Sequence, residues 1–236
     1  MQATQQCFSD ATGRSVTRSV LRPAPRDELV LLEQFGTTIS VDRDRQIYSQ
    51  GDEADCCYRI LSGYVRIVNF LEDGRRQIDQ FLMAGDFLGF DALGTHDFGA
   101  EAVTDVVLRR YPRRTVDKLA ESNIALTRRL RELTAISLRM AHARLIQLAS
   151  TSASERVATF LLDMAERLPW SRPTVLDLPM TRSDIADHLS LTIETVCRVL
   201  AHLGRDGAIA IDPIDRSKIT ILDGMALQQV ASETRH

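Results

Sequence analysis

The chain has no run of 18 apolar residues, which excludes a membrane-spanning helix. Its first residues, Met1-Gln2-Ala3-Thr4-Gln5-Gln6, hold no basic stretch followed by an apolar one, so no secretory signal is expected. Cysteine is scarce. Cys7, Cys56, Cys57 and Cys197 are too few and too scattered for a disulfide framework. A reducing cytoplasm is the expected compartment. A basic excess is also missing: Lys plus Arg total 29 against 32 Asp plus Glu, a net charge of −3. Residues 151–236 alone hold 9 basic and 12 acidic side chains, again −3. Bulk charge therefore gives a nucleic-acid role no support, and any such role must rest on a motif.

Catalytic signatures are missing as well. Five histidines (His96, His142, His188, His202, His236) show no H-E-x-x-H spacing, and no Gly-rich phosphate loop or G-x-S-x-G elbow occurs. Asp184 and His188, four apart, read as a solvated pair. An enzyme is not expected. What remains is an ordinary globular balance, 44% apolar and 26% charged, over 236 residues. That length suits one large domain or two modest ones.

Four regions are expected: an arm over 1–25, a strand-rich domain over 26–112, a long helix over 113–150 and a C-terminal domain over 151–236. The strand-rich domain opens on a short helix at about 26–36. From Ile39 to about Tyr111, short strands alternate with turn residues, as in a sandwich or small barrel. Glu72-Asp73-Gly74 reads as a hairpin turn, since glycine tolerates positive φ. No Pro or Gly interrupts 113–153, so one continuous helix is expected. Leu119, Leu126, Leu130, Leu133, Ser137 and Met140 recur at four and three along it, with Asn123 and Arg144 in phase. That spacing is a heptad seam for a second copy of the chain. A polar break at 151–154 follows, with Ser154 as candidate cap, then an amphipathic helix over 155–168 and a terminal hairpin from 208–211 and 218–221.

Residues 180–207 carry the chemistry. Thr181 can cap a short helix whose inward face is Ile185, Ala186 and Leu189. Ser190-Leu191 makes a tight turn. Thr192 caps a second helix that buries Val196, Val199, Leu200 and Leu203 and stops at Gly204 and Gly207. Two crossed helices followed by a hairpin describe a winged helix-turn-helix. The outer face of the second helix shows Ile193, Glu194, Cys197 and Arg198. Glu194 and Arg198 could form a surface ion pair. Within this motif they are expected to read bases instead: a carboxylate accepts from cytosine, and a guanidinium grips guanine with two bonds. Phosphate contacts are expected from Arg182, Thr192 and the wing residues Arg216 and Lys218.

The segment from Met180 to Arg198 resembles the DNA-binding signature of the cAMP receptor protein and FNR family. Upstream, Gly51-Asp52-Glu53-Ala54, Ile60 to Arg66 and Gly85-Asp86-Phe87-Leu88-Gly89 resemble that family's β-roll, so the likeness spans about 35 to 223. It implies an α+β protein with an eight-stranded β-roll, a long dimerisation helix and a winged helix-turn-helix. It also implies double-stranded DNA, RNA polymerase and a second copy of the chain as partners. Aliphatic Ile193, where the cAMP receptor protein has Arg, implies a TTGAT–ATCAA type of site. Cys197 stands where FNR proteins usually carry Ser, and Ser190 where many relatives have Gly. The loop holding Asp73, Arg75 and Arg76 reads as an exposed polymerase-contacting surface.

The family's ligands find no seat in this sequence. Gly89 is followed by Phe90, not by the phosphate-binding Arg-Ser, and Gln77 to Leu108 holds six acids and no Lys or Arg. No cyclic nucleotide is expected. One cysteine near the N-terminus cannot supply an iron–sulfur cluster. Cys56 and Cys57, adjacent in a strand, point to opposite faces and read as packing residues. No cofactor is expected. The pattern resembles the FixK type, which activates microaerobic respiration and nitrogen-fixation genes. The alternatives are a haem- or ligand-gated regulator, with His96 as the one candidate haem ligand, and, in another class, a small-molecule binding protein or enzyme using the β-roll. Cys197 offers direct redox control at the DNA-facing surface.

Overall fold

A computed structural model describes residues 30–72, 74–90, 94–150, 152–167 and 174–232. The expected arm, with Cys7, and the turn residue Asp73 lie outside the described residues. Of the expected helix at 26–36, α1 (Val30–Glu33) is described.

Eight short strands follow: β1 (Thr37–Val41), β2 (Gln46–Tyr48), β3 (Cys56–Ser62), β4 (Tyr64–Phe70), β5 (Arg76–Met83), β6 (Phe87–Leu88), β7 (Gly99–Ala102) and β8 (Val106–Pro112). They form two antiparallel sheets, ordered β1-β8-β3-β6 and β2-β7-β4-β5, as the β-roll expectation requires. The turn from β3 to β4 needs Gly63, whose φ is +90° and whose added Cβ would sit 2.3 Å from the Asp105 carbonyl. Ile60, Val65, Ile67, Leu82, Val106 and Leu108 fill the space between the sheets.

Strand β5 is buried on both faces, and a bulge explains how. The β4–β5 register shifts between Ile67 and Val68. Such a shift adds a residue to one strand and changes which side chains share a face. Leu82 points into the roll, whereas Val68, Ile78, Phe81 and Met83 join a second core shared with the C-terminal helices. The Phe81 ring meets Phe160 edge-on at 6.2 Å across that junction. Cys56 packs toward the inner core and Cys57 toward a third cluster under the helices, the opposite-face placement expected of neighbours in a strand. Burial pushes the Cys57 thiol up to about 12.

The long helix is not continuous. It divides into α2 (Arg113–Ser122) and α3 (Ile124–Ser150) at extended Asn123. The Asn123 Oδ1 accepts from the Leu126 amide at 3.0 Å and so caps the new helix. The break also corrects the first part of the expected seam. Leu126 is fully buried in its own protomer with Leu32, Tyr111 and Val116, and Leu119 and Leu130 pack on the same cluster. Leu133 is half-buried, while Ser137 and Met140 are exposed. A second exposed line beside them runs through Ile124, Arg131, Leu138 and Leu145, each seven residues on from the last. Among the described residues no helix is long and apolar enough to cross a membrane.

Helix α4 (Ala153–Arg167) is capped by Ser152, two residues before the expected cap Ser154: the Ser152 Oγ accepts from the Glu155 amide at 3.3 Å. Then come β9 (Thr174–Asp177), α5 (Arg182–Leu189), α6 (Ile193–Arg205), β10 (Ile209–Ile211), β11 (Lys218–Ile221) and α7 (Gly224–Ser232). The β10–β11 hairpin appears where expected. Strand β9, which completes a three-stranded wing sheet, and α7 were not expected from the sequence.

Candidate nucleic-acid interface

Helix α5 begins in a reciprocal capping box. The Thr181 hydroxyl accepts from the Asp184 amide at 3.1 Å, and the Asp184 carboxylate accepts from the Thr181 amide at 3.0 Å. The turn closes at Ser190, which takes the left-handed conformation with φ 54° and ψ 47°. A non-glycine residue tolerates this as a single position. Thr192 caps α6 by accepting from the Thr195 amide at 3.2 Å. Ile185, Ala186 and Leu189 face Val196, Val199, Leu200 and Leu203 in the buried core, and Gly207 at φ +75° follows the helix end. The inward faces and the Gly207 stop are those the sequence predicts, whereas Gly204 lies within α6.

The outer face of α6 is uncovered. Ile193 is 44% exposed, and Glu194, Cys197 and Arg198 are exposed beside it. Among the described residues no ion pair joins Glu194 to Arg198, so both heads remain available. The Glu194 amide and the Thr192 hydroxyl hold the Glu194 carboxyl below the usual range. It is therefore ionised and acceptor-only near neutral pH, as a cytosine amino group requires. A cleft of about 320 Å³ beside this face is lined by Ser152, Ser154, Arg198, His202 and Arg205. Arg205, exposed and two turns on from Arg198, extends the basic edge; its i, i+7 spacing was the sequence signal for it.

The expected phosphate contacts divide. Arg216 is exposed, and among the described residues its guanidinium has no ion-pair partner. Arg182 is half-buried and donates to the Arg216 carbonyl at 2.7 Å, tying α5 to the wing. Lys218 pairs with Asp215 at 3.2 Å. Thr192 spends its hydroxyl oxygen on the cap. The expected solvated pair of Asp184 and His188 is also corrected, because each side chain turns to another element. Arg76 is corrected likewise: it is not exposed at the hairpin tip but bonds Asp184 and Asp187 of α5, each at 2.6 Å. Arg75 and Glu72 are exposed. His96, the candidate haem ligand, is 5% exposed and stacks on Tyr48 with ring centroids 3.7 Å apart.

A winged helix-turn-helix with a bare, polar second helix, carried on a β-roll, defines a sequence-reading DNA-binding regulator. Residues 155–230 match the Crp-like helix-turn-helix domain, and residues 38–123 match the cyclic nucleotide-binding domain. The nitrogen fixation regulation protein FixK of Bradyrhizobium diazoefficiens is 36% identical over 218 residues, 92% of this chain and 91% of that protein. FixK of Rhizobium meliloti is 41% identical over 191 residues, 80% of this chain and 84% of that protein. The structure of FixK2 from Bradyrhizobium japonicum superimposes with a TM-score of 0.80 at 34% identity, covering 85% of this chain and 99% of that one. The chain belongs to the CRP/FNR family of transcription regulators, in its FixK group.

Proposed function

We propose that this regulator works as a homodimer that reads a TTGAT–ATCAA-like palindrome, and that it activates genes of microaerobic or anaerobic respiration or nitrogen fixation. The observation that carries the reading is the uncovered face of α6, where ionised Glu194 and unpaired Arg198 flank Cys197. Aliphatic Ile193 supports the FNR-like half-site. The names of the FixK relatives support nitrogen fixation, and the Escherichia coli fumarate and nitrate reduction regulatory protein, 30% identical over 200 residues, supports the respiratory side. The exposed stripe on α3 and the groove of about 510 Å³ along it, lined by Leu130, Arg131, Thr134 and Leu138, support dimerisation through that helix. Two recognition helices then enter successive major grooves about 34 Å apart.

Regulation by abundance rather than by an anionic effector suits the acidic stretch from Gln77 to Leu108, where Glu101 pairs with Arg66 at 2.8 Å. Cys197 adds an oxidant-accessible thiol to the reading face; peroxide oxidation to sulfenic or sulfinic acid would place new polarity or charge against DNA. Glu72 and Arg75 at the hairpin tip offer a surface for RNA polymerase. Titrating the palindrome and a scrambled duplex with protein at two salt concentrations tests the reading. Selective binding of the palindrome is expected; equal binding of both duplexes would refute it.

A further inference from the structure

We infer that a partly buried charged clamp between the β-roll and α5 positions the reading helix for DNA. Arg76 on β5 bonds the Asp184 carboxylate at 2.6 Å and grips Asp187 through Nη2 at 2.6 Å and Nε at 2.9 Å. Arg66 on β4 reaches Asp184 at 3.5 Å while its Nε holds Glu101 at 2.8 Å. Gln77 donates to the Ser190 hydroxyl at 3.1 Å, and Ser190 is the left-handed turn residue that aims α6. The Asp184 side chain is 3% exposed and that of Arg66 11%. The junction is driest at Asp184 and opens toward solvent at Arg76 and Asp187, whose side chains are 25% and 29% exposed.

Three features make the clamp a positioning device. On the helix-turn-helix side every acceptor lies on α5 or its turn and none on the reading face, so Ile193, Glu194, Cys197 and Arg198 stay exposed while it is closed. Asp184 also completes the capping box of α5, so one carboxylate fixes both where that helix starts and how it is rotated against the roll. The apolar junction at Phe81 and Phe160 holds the two parts together, but apolar contact is non-directional. Forked hydrogen bonds from a guanidinium to carboxylates set direction. A head free to rotate would carry Glu194 and Arg198 off the base edges, where small displacements are costly. Buried ion pairs are weak sources of net stability, and fixing one arrangement is their best-attested use.

The inference rests on α6 being the reading face, so its test carries an independent control for that. Operator affinity of the full-length protein is measured by fluorescence anisotropy at one salt concentration for wild type, Arg76→Asp, Asp187→Arg and the double variant. Thermal unfolding and sedimentation are recorded for each. Both single variants are expected to bind about tenfold more weakly, and the double variant to recover part of the loss, since its carboxylate at position 76 still faces Asp184. Asp187→Arg is diagnostic, because its added positive charge alone would tighten DNA binding. Should a reversal unfold the protein, Arg76→Gln, Asp187→Asn and their double make the same cycle, with the double expected no weaker than the weaker single. Wild-type affinity or tighter in either single, or additive losses in the double, would overturn the clamp. Arg198→Ala in the same assay checks the reading face separately: if it binds like wild type, that assignment fails whatever the clamp variants do.

Discussion

Arg144 of α3 lies against His188 of α5, with Nη1 3.0 Å from the imidazole Nδ1 and 3.3 Å from Nε2, and also donates to the His188 carbonyl. Helix α3 thereby touches the helix-turn-helix directly. The imidazole Nδ1 is 3.2 Å from the Ile78 carbonyl, so a neutral ring donating there leaves Nε2 to accept from Arg144. Asp79 faces the same site from β5 at 4.0 Å from Arg144.

A pH dependence follows. Burial first, and the Arg144 charge second, lower His188 to about 3. An unfolded histidine titrates near 6.5. As pH falls from about 6.5 to 3, the unfolded chain takes up a proton that the folded chain refuses, so the His188 contribution is complete above that window and lost within it. Relative to His188→Gln, wild type is expected to lose up to about 1.4 kcal/mol per pH unit there. Denaturant unfolding at pH 7, 6 and 5 measures it; parallel losses in both proteins would exclude His188 as the source.

Leu126 and Leu138 share a helix but have opposite duties. Leu126 is fully buried in its own protomer, and Leu138 is 56% exposed on the outer stripe. Leu126→Ala is expected to cost about 2–5 kcal/mol of fold stability. Leu138→Glu is expected to leave the fold intact and weaken the dimer, since it replaces an exposed leucine with a charge where two copies of α3 would meet. Chemical denaturation and sedimentation separate the two. Dimer loss from Leu126→Ala with an unchanged Leu138→Glu dimer would return the seam to the sequence-predicted phase.

Cys197 gives a redox prediction. Its thiol is exposed next to exposed Arg198 on the outer face of α6. Peroxide is expected to abolish operator binding by wild type and to spare Cys197→Ser, with dithiothreitol restoring the sulfenic but not the sulfinic form. Equal resistance of the two proteins would remove Cys197 from regulation.

The helix-turn-helix was legible because each of its signals is local. Thr181, Thr192 and Gly207 mark ends by their own chemistry, and the spacing of Ile185 to Leu203 marks the inward faces. The first part of the seam was misread for a different reason. A leucine stripe fits a partner helix or the chain's own core equally well, and only the fold shows that α3 begins on the roll after the Asn123 break. Arg76, Asp184 and His188 were read as solvated because their partners are over a hundred positions away in sequence. No periodicity encodes such a pairing. The β4–β5 bulge that turns Ile78 and Phe81 toward the C-terminal helices was hidden likewise.

The most direct measurement is the operator affinity of Arg198→Ala, taken with guanine-substituted half-sites. Arg198 is exposed and unpaired on α6, so removing its head takes away a bidentate base contact without disturbing the core. A loss of about 1–3 kcal/mol per half-site is expected, together with a relaxed preference at the contacted base pair. Wild-type affinity with unchanged base preference would contradict the role assigned to this helix.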